Sequence, residues 1–289
     1  MEGVGTRIFL RLWAVLIMLF LFIPILLIFF YAFNTSNIES WPIPGLTLKW
    51  FSATWNDDNV RSALLVSLEA GLLATAIALV LGSSAAFAIH RTRFFGREVV
   101  SLLFILPLAL PGIITGIALN SFFSFTGIQF SIWTIVIGHS TFCIVVVFNN
   151  LIARLRRMPD SLAEASMDLG ARGWQTQLYV TLPAVATALI SGALLAFALS
   201  FDEVIVTVFT AGAQNTLPIW IFGAIRLGQQ LPEVNAVVSI VILLTIIPVM
   251  VAARIAGTGA ATRSGRPAAA GDDRGAAARW LPSQHGPPG

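Results

Sequence analysis

Long apolar runs alternate with short basic clusters along most of the chain. Six runs stand out, approximately Phe9 to Phe33, Ala63 to Ile89, Val99 to Phe123, Ile132 to Ile152, Ala184 to Phe209 and Val234 to Ala253. A bilayer core of about 30 Å takes roughly 20 apolar residues as a helix, and only helices or closed barrels satisfy their own backbone in lipid. The pattern therefore predicts an all-α membrane protein with six transmembrane helices. The first run exceeds the apolar segment of a signal peptide, about 7 to 15 residues, and no small-x-small cleavage site follows it, so it reads as a retained anchor.

Basic residues set the expected orientation, because Lys and Arg concentrate on the cytoplasmic side of short loops. With the N-terminus inside, fourteen of the 17 Lys and Arg fall on cytoplasmic segments, among them Arg7, Arg11, Arg91, Arg93, Arg97, Arg154, Arg156, Arg157 and Arg172. Only Lys49, Arg61 and Arg226 fall outside. N- and C-termini are both expected to be cytoplasmic. After Arg254 the sequence turns to Gly, Ala, Pro and Arg without apolar periodicity, and such composition does not bury enough surface to fold alone. The expected organisation is a transmembrane domain at 1–256, with a cytoplasmic loop at 153–183, and a disordered cytoplasmic tail at 257–289. The tail arginines would alternatively contact anionic lipid or a partner.

Composition narrows the class further. The 289 residues are 57% hydrophobic and 11% charged, with a mean hydropathy of +0.85, well outside soluble proteins. A net charge of +3 arises from the loop clusters, so nucleic-acid binding is not expected. Cys143 is the lone cysteine, and His90, His139 and His285 lack metal-ligand spacing, so neither a disulfide nor a metal site is expected. Pro24 interrupts the first run. Pro107, Pro111, Gly112 and Gly116 interrupt the third, where Gly112-x-x-x-Gly116 permits close backbone approach. Irregular backbone is tolerated only against protein or a water-filled cavity, which puts the third run inside the bundle.

The 153–183 loop, ARLRRMPDSLAEASMDLGARGWQTQLYVTLP, carries signals of folded structure. Ser161 and Glu164 have capping-box spacing, and Gly170 suits the position after a helix end, which predicts a short helix over Leu162 to Leu169. Leu162, Ala165 and Leu169 would form its apolar stripe. A second helical stretch, Gly173 to Val180, leads to Leu182-Pro183, where proline can open the next span. The run Glu164-Ala165-Ser166, three residues, Gly170, nine residues, Val180-Thr181-Leu182-Pro183 resembles the EAA loop of importer permeases of the ATP-binding-cassette superfamily. That family's pattern is E-A-A, three residues, G, nine residues, I-x-L-P. Ser166 and Val180 are the departures.

The resemblance implies a cytoplasmic coupling helix between spans four and five, seated on a separate ATPase subunit, with Glu164, Ala165, Ser166, Gly170, Leu182 and Pro183 as the coupling residues. Glu164 would at the same time cap its own helix. A Walker A loop needs a lysine after glycine, and the one lysine, Lys49, lies on the expected outside. The chain is therefore expected to be no enzyme and to hold no cofactor, with ATP and Mg bound by the partner ATPase.

Three acids lie within apolar runs, where ionisable groups are costly and face a pathway or the bundle interior. At about 1.5 Å per residue, Asp202 lies roughly 27 Å above Ala184 and Glu69 about 9 Å below Ala63. That puts Asp202, Glu203 and Glu69 at similar depth near the outer mouth, where an acidic ring would favour a cationic solute. Glu69 and Glu203 would alternatively snorkel or pair with Arg61 or Arg226. The segments Ser200-Phe201-Asp202-Glu203-Val204, Thr216-Leu217-Pro218, Ala224-Ile225-Arg226-Leu227-Gly228 and Pro232-Glu233-Val234-Asn235-Ala236 resemble the spermidine/putrescine branch of these permeases, which commonly has a double aspartate where this chain has Asp202-Glu203. The resemblance implies a polyamine permease with a second permease subunit, ATP-binding-cassette ATPase subunits, an extracytoplasmic solute-binding protein, and membrane lipid around it. A permease for another solute, a secondary transporter and a membrane enzyme are the alternatives. The apolar run Leu217 to Phe222, too short to span, would pack across the outer mouth or meet the binding protein.

Overall fold

The computed structural model describes residues 3–92, 95–228 and 231–261. They are nearly all helical, and the only β pairing among them is one bridge between Asn34 and Leu46. Among the described residues, four helices are long and apolar enough to cross a membrane: α1 (Val4–Tyr31), α3 (Asp58–Arg91), α6 (Ile132–Leu155) and the continuous stretch Gly173–Phe201. No residue of α1 is buried. Beyond it, Trp50 in α2 (Lys49–Asn56) anchors the following segment by donating Nε1–H to the Asn34 carbonyl at 2.6 Å.

Small residues bring the central helices together. The face of α3 that carries Ala63, Ala70, Gly71, Ala74, Ala78, Gly82 and Ala86 is buried. A Cβ added at Gly82 would come within 2.8 Å of the Ile144 carbonyl on α6, so the backbones meet there without side chains between them. In lipid, where burial of apolar surface gives little between helices, such close packing holds a bundle together. Near the basic end, the Arg154 guanidinium of α6 donates to the Ala184 carbonyl at 3.2 and 3.3 Å.

The third run is not one helix. It divides into α4 (Arg97–Ala109) and α5 (Gly112–Thr126), with Leu110 extended at φ −78°, ψ 139°. A residue before proline is pushed out of the helical region, and Pro111 does this to Leu110. The fifth run is also divided, by residues 202–204, into α9 (Leu182–Phe201) and α10 (Ile205–Thr210).

The 153–183 loop forms α7 (Ser161–Asp168), α8 (Gly173–Thr176) and a π-turn over Gln177–Thr181 that runs directly into α9. Pro183 lacks the N–H that Tyr179 would receive, and in a regular helix its ring would press on that carbonyl. The π-turn widens the helix just before it, with Leu182 N–H reaching back to Gln177 O, so no break is needed. The expected Ser161–Glu164 capping box does not form. Asp160 is already helical, at φ −61°, ψ −28°, and an N-cap needs an extended backbone. The other end matches its expectation: Gly170 has φ +87°, with Gly170 N–H on Met167 O at 2.8 Å and Ala171 N–H on Ser166 O at 3.1 Å. This is a Schellman motif.

The short apolar run after α10 becomes α11 (Leu217–Leu227). Its Leu217, Trp220 and Ile221 pack with Val60 and Ala63 of α3, Phe201 of α9 and Val237 of α12 (Leu231–Ala261). Leu217 N–H donates to Ser67 Oγ at 2.8 Å.

Two compact units divide the chain, Met1–Ile247 and Pro248–Gly289. Of the second, residues 248–261 are described, and they are helical. Helix thus covers the first five residues, 257–261, of the expected tail. The rest of that expected tail, 262–289 with its arginines, and Arg93 lie outside the described residues.

Candidate functional site

Both helix interruptions lie at one place. Gly112, the first residue after the gap in the third run, faces Ile205, the first residue after the gap in the fifth: a Cβ at Gly112 would be 3.7 Å from Ile205 Cβ. One turn on, a Cβ at Gly116 would be 2.5 Å from the Phe209 ring. The Gly112-x-x-x-Gly116 motif therefore receives α10, as its spacing predicts. Asn120 Nδ2 seals the contact by donating to Phe209 O at 2.7 Å. On its other side α10 lies on α6, where Thr134 Oγ1 donates to Thr210 O at 2.7 Å and Gly138 leaves room for Val206.

The interruption at 202–204 exposes backbone polar groups that a regular helix would pair, and the sequence supplies side chains for some of them. Glu203 Oε1, from the residue before the N-cap Val204, accepts the Val206 N–H at 3.0 Å, pairing one of the N–H groups that the first turn of a helix leaves without an intrahelical partner. Thr207 Oγ1 donates to Glu203 O at 2.5 Å. Because Val206 N–H goes to the Glu203 carboxylate, it does not reach the Asp202 carbonyl. Pro107 and Pro111 likewise leave Leu103 and Pro107 carbonyls without their helical donors. Asp202 is exposed, and its carboxylate has no hydrogen bond or ion pair among the described residues. The two neighbouring acids are thus distinct: one caps a helix, and the other is uncommitted.

The sequence gives His139 no role, since it has neither metal-ligand spacing nor a place in a nucleophile-base set. It is 1% exposed. Its Nδ1 lies 2.7 Å from Ser200 Oγ, before the interruption, and its Nε2 lies 2.8 Å from Thr207 Oγ1, after it.

Glu69 occupies the exposed face of α3, on the other side of the helix from buried Ser67, Ala70 and Ala74. No hydrogen bond joins it to Asp202 or Glu203 among the described residues. Nor does it pair with Arg61, whose described partner is Asp58. Before the start of α9, Glu164, Ala165 and Leu162 of α7 are exposed and Leu169 is 89% exposed. α7 is held to α8 by Ser166 Oγ and Thr176 Oγ1 at 3.1 Å. Leu182 and Pro183 form the first turn of α9.

Residues 78–258 match a protein family described as the binding-protein-dependent transport system inner membrane component. The chain belongs to this family. It is a multi-pass inner-membrane transport protein. Curated relatives include the spermidine/putrescine transport system permease protein PotC of Escherichia coli K12, 33% identical over 239 residues that cover 82% of this chain and 89% of the relative. The putrescine transport system permease protein PotI of the same organism is 34% identical over 245 residues, 80% of this chain and 85% of the relative. Among solved structures, a bacterial ABC transporter involved in the import of the acidic polysaccharide alginate has a similar fold, with a TM-score of 0.63 at 18% identity, covering 89% of this chain and 98% of that one.

Proposed function

We propose that this permease forms part of the path for a small cationic solute, a polyamine, in an importer driven by ATP. The observation that carries this reading is Asp202: an exposed carboxylate without a partner among the described residues, beside two helix interruptions packed against each other. An ammonium group brings up to three donors and no acceptor. The Asp202 carboxylate and backbone carbonyls without helical donors would meet those needs, and ionisable groups at membrane depth typically mark such pathways. The names of PotC and PotI support the same solute class.

The proposed topology has six crossings: α1, α3, α4 with α5, α6, α9 with α10, and α12. Both termini face the cytoplasm. α7 is the coupling helix, and its exposed Glu164 and Ala165, with Leu169 just past its end, are free to meet an ATP-binding-cassette ATPase that itself holds ATP and Mg. A second permease subunit, an extracytoplasmic solute-binding protein and surrounding lipid complete the assembly. Glu203 serves this path as a cap and Glu69 lines it only if the second subunit brings a surface to its exposed face.

Uptake of labelled putrescine into vesicles carrying the whole transporter tests the reading. Asp202→Asn should lower uptake at least tenfold, since one lost charged contact is worth about 1.5–3 kcal/mol. Undiminished uptake by correctly inserted Asp202→Asn would sink the proposal.

A further inference from the structure

We infer that His139 is a positioning residue for solute recognition, pinning the two flanks of the 202–204 interruption and so fixing how Asp202 is presented. The inference rests on the reading of Asp202 given above. One rigid imidazole reaches Ser200, two residues before Asp202, and Thr207, three after Val204, at 2.7 and 2.8 Å. A rigid ring between two such points sets the separation of the helix ends that meet at the gap.

The hydrogen-bond directions follow from counting protons. Thr207 has one hydroxyl proton, and it goes to Glu203 O. Thr207 Oγ1 therefore accepts from His139, which makes Nε2 the protonated nitrogen. Nδ1 of the neutral ring then holds a lone pair, and the Ser200 hydroxyl donates to it. The chain Ser200 to His139 to Thr207 to Glu203 O is fully satisfied and ends on the backbone of the interruption itself.

Packing alone does not account for this arrangement. An apolar side chain would fill the space without the cost of burying a polar ring, and α6 already meets α10 through Gly138 and Thr134. Both bonds of His139 go instead to the flanks of the one stretch in Gly173–Thr210 that is not helical. Glu203 O, with no backbone N–H partner among the described residues, depends on Thr207 for its hydrogen bond. Loss of the ring would leave Thr207 free to turn away and the 202–204 backbone free to move.

Two measurements on the assembled transporter in membrane vesicles test this. Cys143 is this chain's one cysteine, so Cys143→Ala with Val204→Cys leaves the chain a single thiol, at the interruption, whose labelling is read on this subunit. Its rate of modification by a small thiol reagent should rise about tenfold when His139→Leu or Thr207→Val is added, from the loss of about one buried hydrogen bond. His139→Gln, which can keep a donor near Nε2, should restore most of the protection. Putrescine uptake is then followed through a double-mutant cycle. If His139 acts through Asp202, His139→Leu should cut uptake severalfold alone but add little to Asp202→Asn. Should His139→Leu fail to assemble, Ser200→Ala and Thr207→Val carry both measurements. Unchanged labelling across these variants, or fully additive losses of uptake, overturns the inference. If Asp202→Asn alone leaves uptake intact, the Asp202 reading is what fails, and the labelling still decides whether His139 pins the gap.

Discussion

The pairing of α5 with α10 makes a sharp prediction, because the two glycines of one motif meet different surroundings. At Gly112 the nearest atom to an added Cβ is 3.7 Å away, ordinary contact. At Gly116 the distances are 2.5 Å to Phe209 Cδ2, 3.1 Å to Cγ and 3.2 Å to Cβ. The closest approach is about 1 Å short of the 3.4 Å at which ordinary contact begins. Turning the ring does not relieve it, since Cβ and Cγ are also crowded and Asn120 holds the Phe209 carbonyl. Gly116→Ala must therefore push α10 off α5, an overpacking cost of about 1–3 kcal/mol. For a chain of this size that lowers Tm by roughly 2–10 °C. Gly112→Ala should leave Tm unchanged or raise it slightly, because alanine loses less freedom on folding. Thermal unfolding of the purified complex in nanodiscs measures both. Adding Phe209→Leu to Gly116→Ala should recover part of the loss, as expected for residues in contact. The reasoning fails if Gly116→Ala melts with the wild type, or if the two alanine variants fall equally.

Three further outcomes are expected. Gly170→Ala puts a Cβ at φ +87° and should cost about 1–2 kcal/mol at the end of α7; ATPase stimulation in the assembled transporter should fall severalfold while membrane insertion persists, and undisturbed stimulation would count against α7 as the coupling helix. Glu203→Ala removes the α10 cap and should cost about 0.5–2 kcal/mol, whereas Glu203→Gln keeps an acceptor and should cost less; equal Tm values for the two variants would refute the cap. Trp50→Phe leaves the buried Asn34 carbonyl without its 2.6 Å partner and should destabilise by about 1–3 kcal/mol, seen as a lower Tm, and a Tm equal to wild type would show the bond to be inconsequential.

The helices were legible where long apolar runs set them, as in α1, α3 and α6, since length and composition decide that question. Proline made the gap at Leu110 readable in part: Pro107 and Pro111 signalled irregular backbone, but not two separate helices. The gap at 202–204 was harder, because neither glycine nor proline marks it. Its determinants are Ser200, Glu203 and Thr207 acting with His139, which lies 61 residues before Ser200 and 68 before Thr207. No local pattern reveals such a set. Depth arithmetic brought Glu69 level with Asp202 and Glu203, yet depth does not say which face of a helix a residue occupies, and the small residues of α3 turn Glu69 outward. Glycine at 170 was readable because one residue's backbone decides it. The capping box was misleading because its residues are present but the helical backbone begins one residue too early.

The π-turn before Pro183 joins the foot of the loop to the long apolar helix as one continuous helical stretch. Over the 29 residues of Gly173–Phe201 the uninterrupted axis is about 43 Å long, so a tilt of only about 5° about its lower end would sweep the Asp202 end sideways by roughly 4 Å. A shift of that size is comparable to the width of an ammonium group with its first hydrogen bonds. On the proposed reading, small angular play at the loop end of this helix would be geared up into admission or release of solute at the other.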